Sequence, residues 1–490
     1  MKEIKLKQIY PYFILFAGAI IVLLLSPLSP LSRVISTGDS NVYVYCAQQI
    51  LDGKIMYKEV FDHKGPLLYL INAFGLIIGN GNTIGVWFLE IVSLFTSLLF
   101  IYKAIRLFYD KFIALISSLS SLILFMLTSG GNIPDEYAIC FISIAMYYFF
   151  KIFRKDSIKQ KHYFIISLCF ACVLLLKPNL VIMWGVGWLL YLILLIKEQK
   201  WTVLKSFVSF SFIGVVVVLI PFFFYFYITD SITDFKFCYW DFNRAYSDFS
   251  IKSMLVRISK RAYLYPIYRY CNVHIFLFSF LIVAVINFKY FQNKRLIIFV
   301  ASTLLLSIIG VSLGQYLLVF YYLIFVPILS FVFATIYHFI RKNISHHSKM
   351  VCFVLFLFLN SLSFSVGSTL IKGNLTPNIA RENLVSFVKE NTDAKDEITV
   401  FGNSCWIYSL SERKSASKYA YTHPIIFINK CGDEIFKDYY SDIKLKKPKL
   451  IILDLDRMPL DDFPQLITFI QSNYLKYEGT FDAHDCWIRK

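Results

Sequence analysis

VFDHKGPLLYLINAFGLII, residues 60–78, sets an acid, an imidazole and an ammonium side by side, then a Gly-Pro break, then an apolar run. An unpaired charge inside a bilayer costs about 2.5–3.5 kcal/mol on insertion scales. The segment therefore either lies at the membrane surface or its charges hold something. The run 66–78 decides the matter. At about 13 residues it is too short for a core that needs about 20, and it suits a re-entrant or interfacial helix. Leaving it out of the count of spans fixes the register of everything that follows.

Working outward, runs long enough to cross a bilayer stand near 9–27, 84–102, 112–128, 137–153, 162–176, 180–196, 206–228, 271–288, 296–310, 318–340 and 350–370, about eleven spans. With the N-terminus cytoplasmic, the short inner segments carry Lys2, Lys5 and Lys7; Lys103, Arg106 and Lys111; Lys151, Arg154, Lys155, Lys159 and Lys161; Lys197, Lys200 and Lys205; Lys289, Lys294 and Arg295; and Arg341, Lys342 and Lys349. Every short inner loop is basic, as the positive-inside rule asks. Counting 66–78 as a span would reverse the register and put several basic loops outside. The outer segments are then 28–83, 129–136, 229–270 and the tail 371–490. FDHKGP sits at the outer surface rather than at the midplane.

Composition agrees. The 490 residues are 57% hydrophobic and 17% charged, with mean hydropathy +0.61, against about 25% charged in soluble domains. The formal charge of +17 would suggest nucleic acid in a soluble protein; here the basic inner loops account for it. The basic, apolar N-terminus is expected to be a retained first span, because no small-x-small cleavage site follows it and many spans do. Of the ten cysteines, Cys140, Cys169, Cys172, Cys271 and Cys352 lie in or beside apolar runs as small hydrophobes, and none has zinc-ligand spacing with a nearby histidine. Cys405, Cys431 and Cys486 lie in the polar tail, where a disulfide is not readable. The tail alternates helix-like ARENLVSFVKENT and FPQLITFIQSNYL with strand-like EITVFG and KPKLIILDLD. This predicts a small α/β domain over 371–490, after a transmembrane domain over 1–370 with its outer loop at 28–83. No Gly-rich phosphate loop, G-x-S-x-G or H-E-x-x-H is present.

The outer segments supply the candidate chemistry. Asp39 and His63–Lys64 come from the first loop, Asp135 and Glu136 from GGNIPDEY, and Lys177 from LLLKPN. Arg257, Lys260 and Arg261 come from the 229–270 loop, and Gln315 and Tyr316 from GVSLGQYL. Each has a plainer reading. Asp39 after a glycine can cap the next helix, Asp135 and Glu136 can favour a helix dipole, Lys177 can snorkel, and the basic trio can anchor to anionic lipid. Co-location outweighs these. Acids and bases gather at one membrane face beside a short apolar helix. An enzyme acting on a lipid phosphate needs that layout: a cation for phosphate, a carboxylate for the attacking hydroxyl, apolar walls for the lipid.

The stretch GDSNVYVYCAQQILDGKIMYKEVFDHKGPLLYLINAFGLIIGN resembles the first outer loop of bacterial glycosyltransferases of the GT-C superfamily, nearest to the family 39-like branch. That branch includes protein O-mannosyltransferases and the lipid A aminoarabinose transferase. Asp39 to Tyr43 match its D-x-x-x-Y opening, and Leu51 to Tyr69 the continuation through K-x-P-L-l-Y, with Lys64-Gly65-Pro66 where K-P-P is usual. PDEYA and LLLKPN resemble its second-loop acidic motif and its Lys-Pro after the fifth span. GQYLLVFYYLIFVPIL resembles a late element in which Gln315 replaces a common Arg and the His is missing. The likeness covers about the first 200 residues well.

The resemblance implies a GT-C membrane fold, Asp39 as general base and Lys64 as a contact to donor phosphate, with Arg257, Lys260 and Arg261 as further phosphate cations. Asp135, Glu136, His63, Lys177, Gln315 and Tyr316 are substrate-site candidates. No organic cofactor is expected, and a metal is left open. Nucleotide sugars are absent outside the cytoplasmic membrane, so a transferase there needs a lipid-linked donor. The expected protein is a multi-pass cell-membrane enzyme that moves a hexose or pentose, with inversion, from a polyprenyl-phosphate sugar to an envelope glycan, lipid or protein. No nucleic-acid partner is expected. The rivals are a flippase or transporter, which would carry inverted repeats and midplane polar sites, and a polymerase or ligase of lipid-linked sugars, marked by one large outer loop among the spans.

Overall fold

A computed structural model of the chain describes residues 2–32, 38–122, 131–154, 156, 158–247, 250–263, 293–312, 319–343, 350, 378–422, 431–455, 460–479, 481 and 483–490. They divide into two compact units: Met1–Pro30, Trp87–Phe224 and Asp248–Lys372 form one, and Leu31–Val86, Tyr225–Ser247 and Gly373–Lys490 the other.

The first unit is helical. Five helices among the described residues are long and apolar enough to cross a membrane: Ile84–Arg106, Pro134–Arg154, Trp201–Ile228, Lys294–Ser312 and the helical run Phe320–Lys342. The shorter apolar helices are Ile9–Leu23, Lys111–Ser120, Gln160–Leu174 and Ile182–Lys197 in this unit, and Pro66–Ile78 in the other. An apolar helix thus stands at each expected span except 271–288 and 350–370, which lie outside the described residues. Trp201–Ile228 shows what solvent it expects. Only 11% of its apolar window is buried by protein, against 78% for Phe320–Lys342. Phe212, Phe223 and Tyr227 face outward. So large an exposed apolar face is stable against hydrocarbon and not against water.

The second unit joins the first loop to the tail. Helix Asp39–Leu51 packs on helix Pro66–Ile78. Pro66 occupies the first helical position of the latter, where its missing N–H costs nothing. The chain then reverses through GNGNT, with Asn80 and Gly81 both at positive φ. A Cβ on Gly85 would stand 2.0 Å from the Gly75 carbonyl oxygen, so the chain folds back on itself at this reversal as closely as backbone allows.

The tail forms a five-stranded sheet in the order β2-β1-β3-β5-β4, with β1 Glu397–Phe401, β2 Lys414–Ser415, β3 Leu450–Asp454, β4 Tyr474–Lys476 and β5 His484–Arg489. β1 pairs parallel with β2 and β3, and β5 pairs antiparallel with β3 and β4. β3 is buried along its whole length, as a strand covered on both faces must be. The two expected strands are β1 and β3, and the expected helices are Ile379–Asn391 and Pro464–Asn473. The latter ends at Asn473 rather than continuing, because Tyr474 turns extended and starts β4. Cys405 and Cys486 are buried thiols.

First loop and tail are bonded directly. The Phe61 amide donates to the Lys418 carbonyl at 2.9 Å, and the Ser415 amide to the Tyr45 hydroxyl at 3.0 Å. The Tyr45 and Tyr408 rings lie 5.2 Å apart.

Candidate functional site

The second unit holds Asp39, His63 and Lys64. Asp39 is the first residue of its helix, and Gly38 takes the cap position without a side-chain bond. The capping role open to Asp39 in the sequence is therefore not the one it plays. Its carboxylate is exposed in the first turn, and the Tyr43 hydroxyl donates to it at 3.3 Å.

Asp62 organises the FDHK turn. It is 1% exposed, and its carboxylate accepts from the Tyr69 hydroxyl at 2.6 Å, the Tyr421 hydroxyl at 2.6 Å and the His63 amide at 2.7 Å. Burial alone would push its pKa up. Hydrogen bonds from His63 and Tyr421 and the charges of His63 and Lys64 outweigh that and hold it below the usual carboxylate range. Around it, the Tyr57 hydroxyl donates to the Lys64 carbonyl at 2.7 Å. Asn243 donates to the His63 carbonyl at 2.7 Å. The Phe242 ring lies 5.2 Å from the imidazole.

The result is a relay of charges. Lys64 Nζ stands 2.5 Å from His63 Nε2. An ammonium only donates, so Nε2 accepts and the ring proton sits on Nδ1. Nδ1 is 3.3 Å from Asp62 Oδ1 and 3.3 Å from the Tyr421 hydroxyl. Burial first, and the Lys64 charge second, push the His63 pKa down, while Asp62 and Asp39 pull it up. The imidazole is thus neutral near pH 7 and within electrostatic reach of Asp39. Carboxylate, imidazole and ammonium thus belong to one unit, with Asp39 within electrostatic reach of the ring.

The first unit holds a second polar group. Pro134 opens a helix whose first turn carries Asp135 and Glu136. Lys177 Nζ meets both Asp135 oxygens, at 3.0 and 2.9 Å, and lies 4.2 Å from the centre of the Tyr321 ring. Its side chain is 14% exposed and that of Asp135 1%, so Lys177 is an ion-pair partner, not a snorkelling surface cation. Glu136 accepts from the Gly131 amide at 3.3 Å. It faces a cavity of about 10 Å³ that Glu90 also lines. Arg257 is buried and donates from Nε to the Ser312 carbonyl at 2.7 Å. Lys260 and Arg261 lie in helix Ile251–Tyr263, but their side chains, like Gln315 and Tyr316 altogether, are outside the described residues.

Asp39, His63 and Lys64 thus belong to one unit and Asp135, Glu136, Lys177 and Arg257 to the other. Among the described residues no three His, Cys, Asp or Glu side chains gather as a metal centre would require. Sequence reasoning missed Tyr421 and Glu90. Nothing local marks Tyr421. Glu90 carried a signal, a lone carboxylate inside an apolar run. It accepts from the Asn132 amide at 2.6 Å and from Ser26 at 3.1 Å.

Residues 1–237 match the family model described as the putative competence-induced protein Ccs4 N-terminal domain. No curated protein matches the chain in sequence. Solved structures similar to it include the following three. ArnT from Cupriavidus metallidurans in the apo state superposes with a TM-score of 0.65 at 10% identity, covering 97% of each chain. The same protein bound to undecaprenyl phosphate gives 0.63 at 11%, again over 97% of each. The oligosaccharyltransferase AglB from Archaeoglobus fulgidus, with an inhibitory peptide and a dolichol-phosphate, gives 0.52 at 11%, over 99% of this chain and 74% of that one. The chain has the GT-C fold of these proteins.

Proposed function

We propose that the protein is a GT-C glycosyltransferase that moves a sugar from a polyprenyl-phosphate donor to an acceptor on the extracytoplasmic face. One observation carries the reading. An exposed carboxylate, Asp39, acts electrostatically on His63, whose Nε2 is 2.5 Å from the Lys64 ammonium. This lies in a chain sharing its fold with a protein that binds undecaprenyl phosphate.

The chemistry follows from the groups. The acceptor hydroxyl is a poor nucleophile at neutral pH and needs a positioned base. Asp39 takes its proton as the acceptor oxygen bonds to the anomeric carbon. The bond from that carbon to the phosphate oxygen breaks, and its electron pair stays on phosphate. Attack opposite the leaving group inverts the anomeric centre. The phosphate goes from a singly charged diester to a monoester, and Lys64 meets the growing charge with charge-assisted hydrogen bonds. A hexose or a pentose fits this chemistry equally, and envelope glycan, lipid or protein hydroxyls all qualify as acceptor. Asp135, Glu136, Lys177 and Arg257 stay as candidates for the acceptor or lipid side, and the N-terminus is assigned to the cytoplasm.

Mass spectrometry of envelope glycans from cells with and without the gene tests the reading. One glycan is expected to lose a sugar residue, restored by the wild-type chain and not by Asp39→Asn. General-base catalysis is worth about 100-fold or more, enough to silence the variant. Unchanged glycans, or full restoration by Asp39→Asn at equal protein level, would overturn it.

A further inference from the structure

We infer that His63 is a proton acceptor that matches the site to its leaving phosphate, taking up one proton when the monoester dianion occupies it. The inference rests on the reading above that Lys64 binds donor phosphate.

Sugar transfer frees one proton from the acceptor hydroxyl and adds one negative charge to the phosphate, which goes from diester monoanion to monoester dianion. Lys64 by itself matches the charge of the first species and is one charge short for the second. In the structure, Lys64 Nζ is parked on the lone pair of His63 Nε2, at 2.5 Å. A phosphate oxygen is the stronger acceptor for an ammonium. When Lys64 turns to it, Nε2 is left beside an anion, with Nδ1 still facing Asp62 at 3.3 Å.

The groups that face the ring decide its proton. Lys64 pushes protonation down, together with burial, and Asp62 and Asp39 pull it up. Tyr421 adds a neutral hydroxyl at 3.3 Å, and Phe242 and Asn243 add no charge. Moving the Lys64 ammonium away and adding a dianion reverses the largest electrostatic contribution. The main chain of His63 is tied on both sides, by its amide to Asp62 and its carbonyl to Asn243, which holds the residue in place beside Lys64.

Undecaprenyl phosphate titrated into the full-length chain in nanodiscs at pH 7.5 is the probe. A phosphate monoester has its second pKa near 6, so the free ligand is already a dianion and proton uptake reports on the protein. Calorimetry in buffers of different ionisation enthalpy is expected to give close to one proton taken up by the wild type. By linkage, the Kd then weakens about tenfold per pH unit until the pKa of the bound imidazole is reached. His63→Gln keeps an acceptor for Lys64 but cannot be protonated. It is expected to take up no proton and to show a flat Kd over the same range. No uptake by the wild type overturns the proposal without any variant, and so does uptake that persists in His63→Gln or His63→Asn. If Lys64→Ala leaves the Kd unchanged, the phosphate site itself fails. If Lys64→Ala weakens binding and no proton moves, only the role of His63 fails.

Discussion

Removing the Tyr421 hydroxyl should unlock the first loop from the tail. In Tyr421→Phe the ring stays and one donor to Asp62 is lost. That bond is 2.6 Å long, ends on a carboxylate that is 1% exposed, and runs between segments that also share the Phe61–Lys418 backbone bond. Hydrogen bonds to charged groups contribute about 1.5–3 kcal/mol, and a buried carboxylate left short of a donor pays its desolvation besides. Local opening should therefore become about ten- to 150-fold more frequent. Hydrogen exchange at the Phe61 amide reads this directly, and peptides from β1 and β3 serve as controls that should not change. The effect has a pH signature. The folded pKa of Asp62 lies below the usual carboxylate range. Its stabilisation is therefore full above the unfolded value of about 4 and is lost as pH falls through the folded one. The excess opening of the variant should be complete at pH 7 and shrink below about pH 4. Equal exchange at Phe61 in both proteins at pH 7 would refute the view that Asp62 is the clasp.

Lys64→Ala should weaken donor use by roughly ten- to 100-fold, the worth of about 1.5–3 kcal/mol of charge-assisted bonding; a donor titration with the purified chain measures it. Lys177→Met strands the buried Asp135 carboxylate and should destabilise the first unit by about 3–5 kcal/mol, while the double variant with Asp135→Leu recovers most of that; thermal unfolding in detergent compares them. A reporter that works only outside the cytoplasm, fused after Lys490, should be active, because every short inner loop is basic; activity of a cytoplasm-only reporter at that point contradicts the topology.

Much of the architecture was legible because hydrocarbon is a strict solvent. Apolar runs of sufficient length had little choice but to be helices, and the short run 66–78 read as one that does not span because 13 residues cannot reach. In the tail, EITVF and LIILD read as strands because each is a short, largely apolar run rich in β-branched residues with polar sequence on either side. The antiparallel addition of β5 was not legible. HDCWIR has no clean alternation, and its place is set by pairing with β3 across the 29 residues of intervening chain. The site divided in the same way. Asp39, His63 and Lys64 share one loop, where a local motif pointed to Asp39 and Lys64 and His63 stood beside them with no role assigned. The role of Asp62 depends on Tyr421, a tyrosine in no motif. Asp39 itself shows the limit of local rules. After Gly38, Asp39 reads as a helix N-cap, yet the glycine takes the cap and leaves the carboxylate exposed.

Tyr421 follows Asp62 in the chain by 359 positions. At a synthesis rate of about 5–20 residues per second, the loop leaves the ribosome some twenty to seventy seconds before the hydroxyl that clasps its carboxylate. Through that interval Asp62 has only the donors of its own loop, the Tyr69 hydroxyl and the His63 amide, and the turn has nothing in the tail to be pinned against. The turn around Asp62 is thus fixed late in synthesis, not early: a segment that leaves the ribosome long after the first loop is what holds that loop in place.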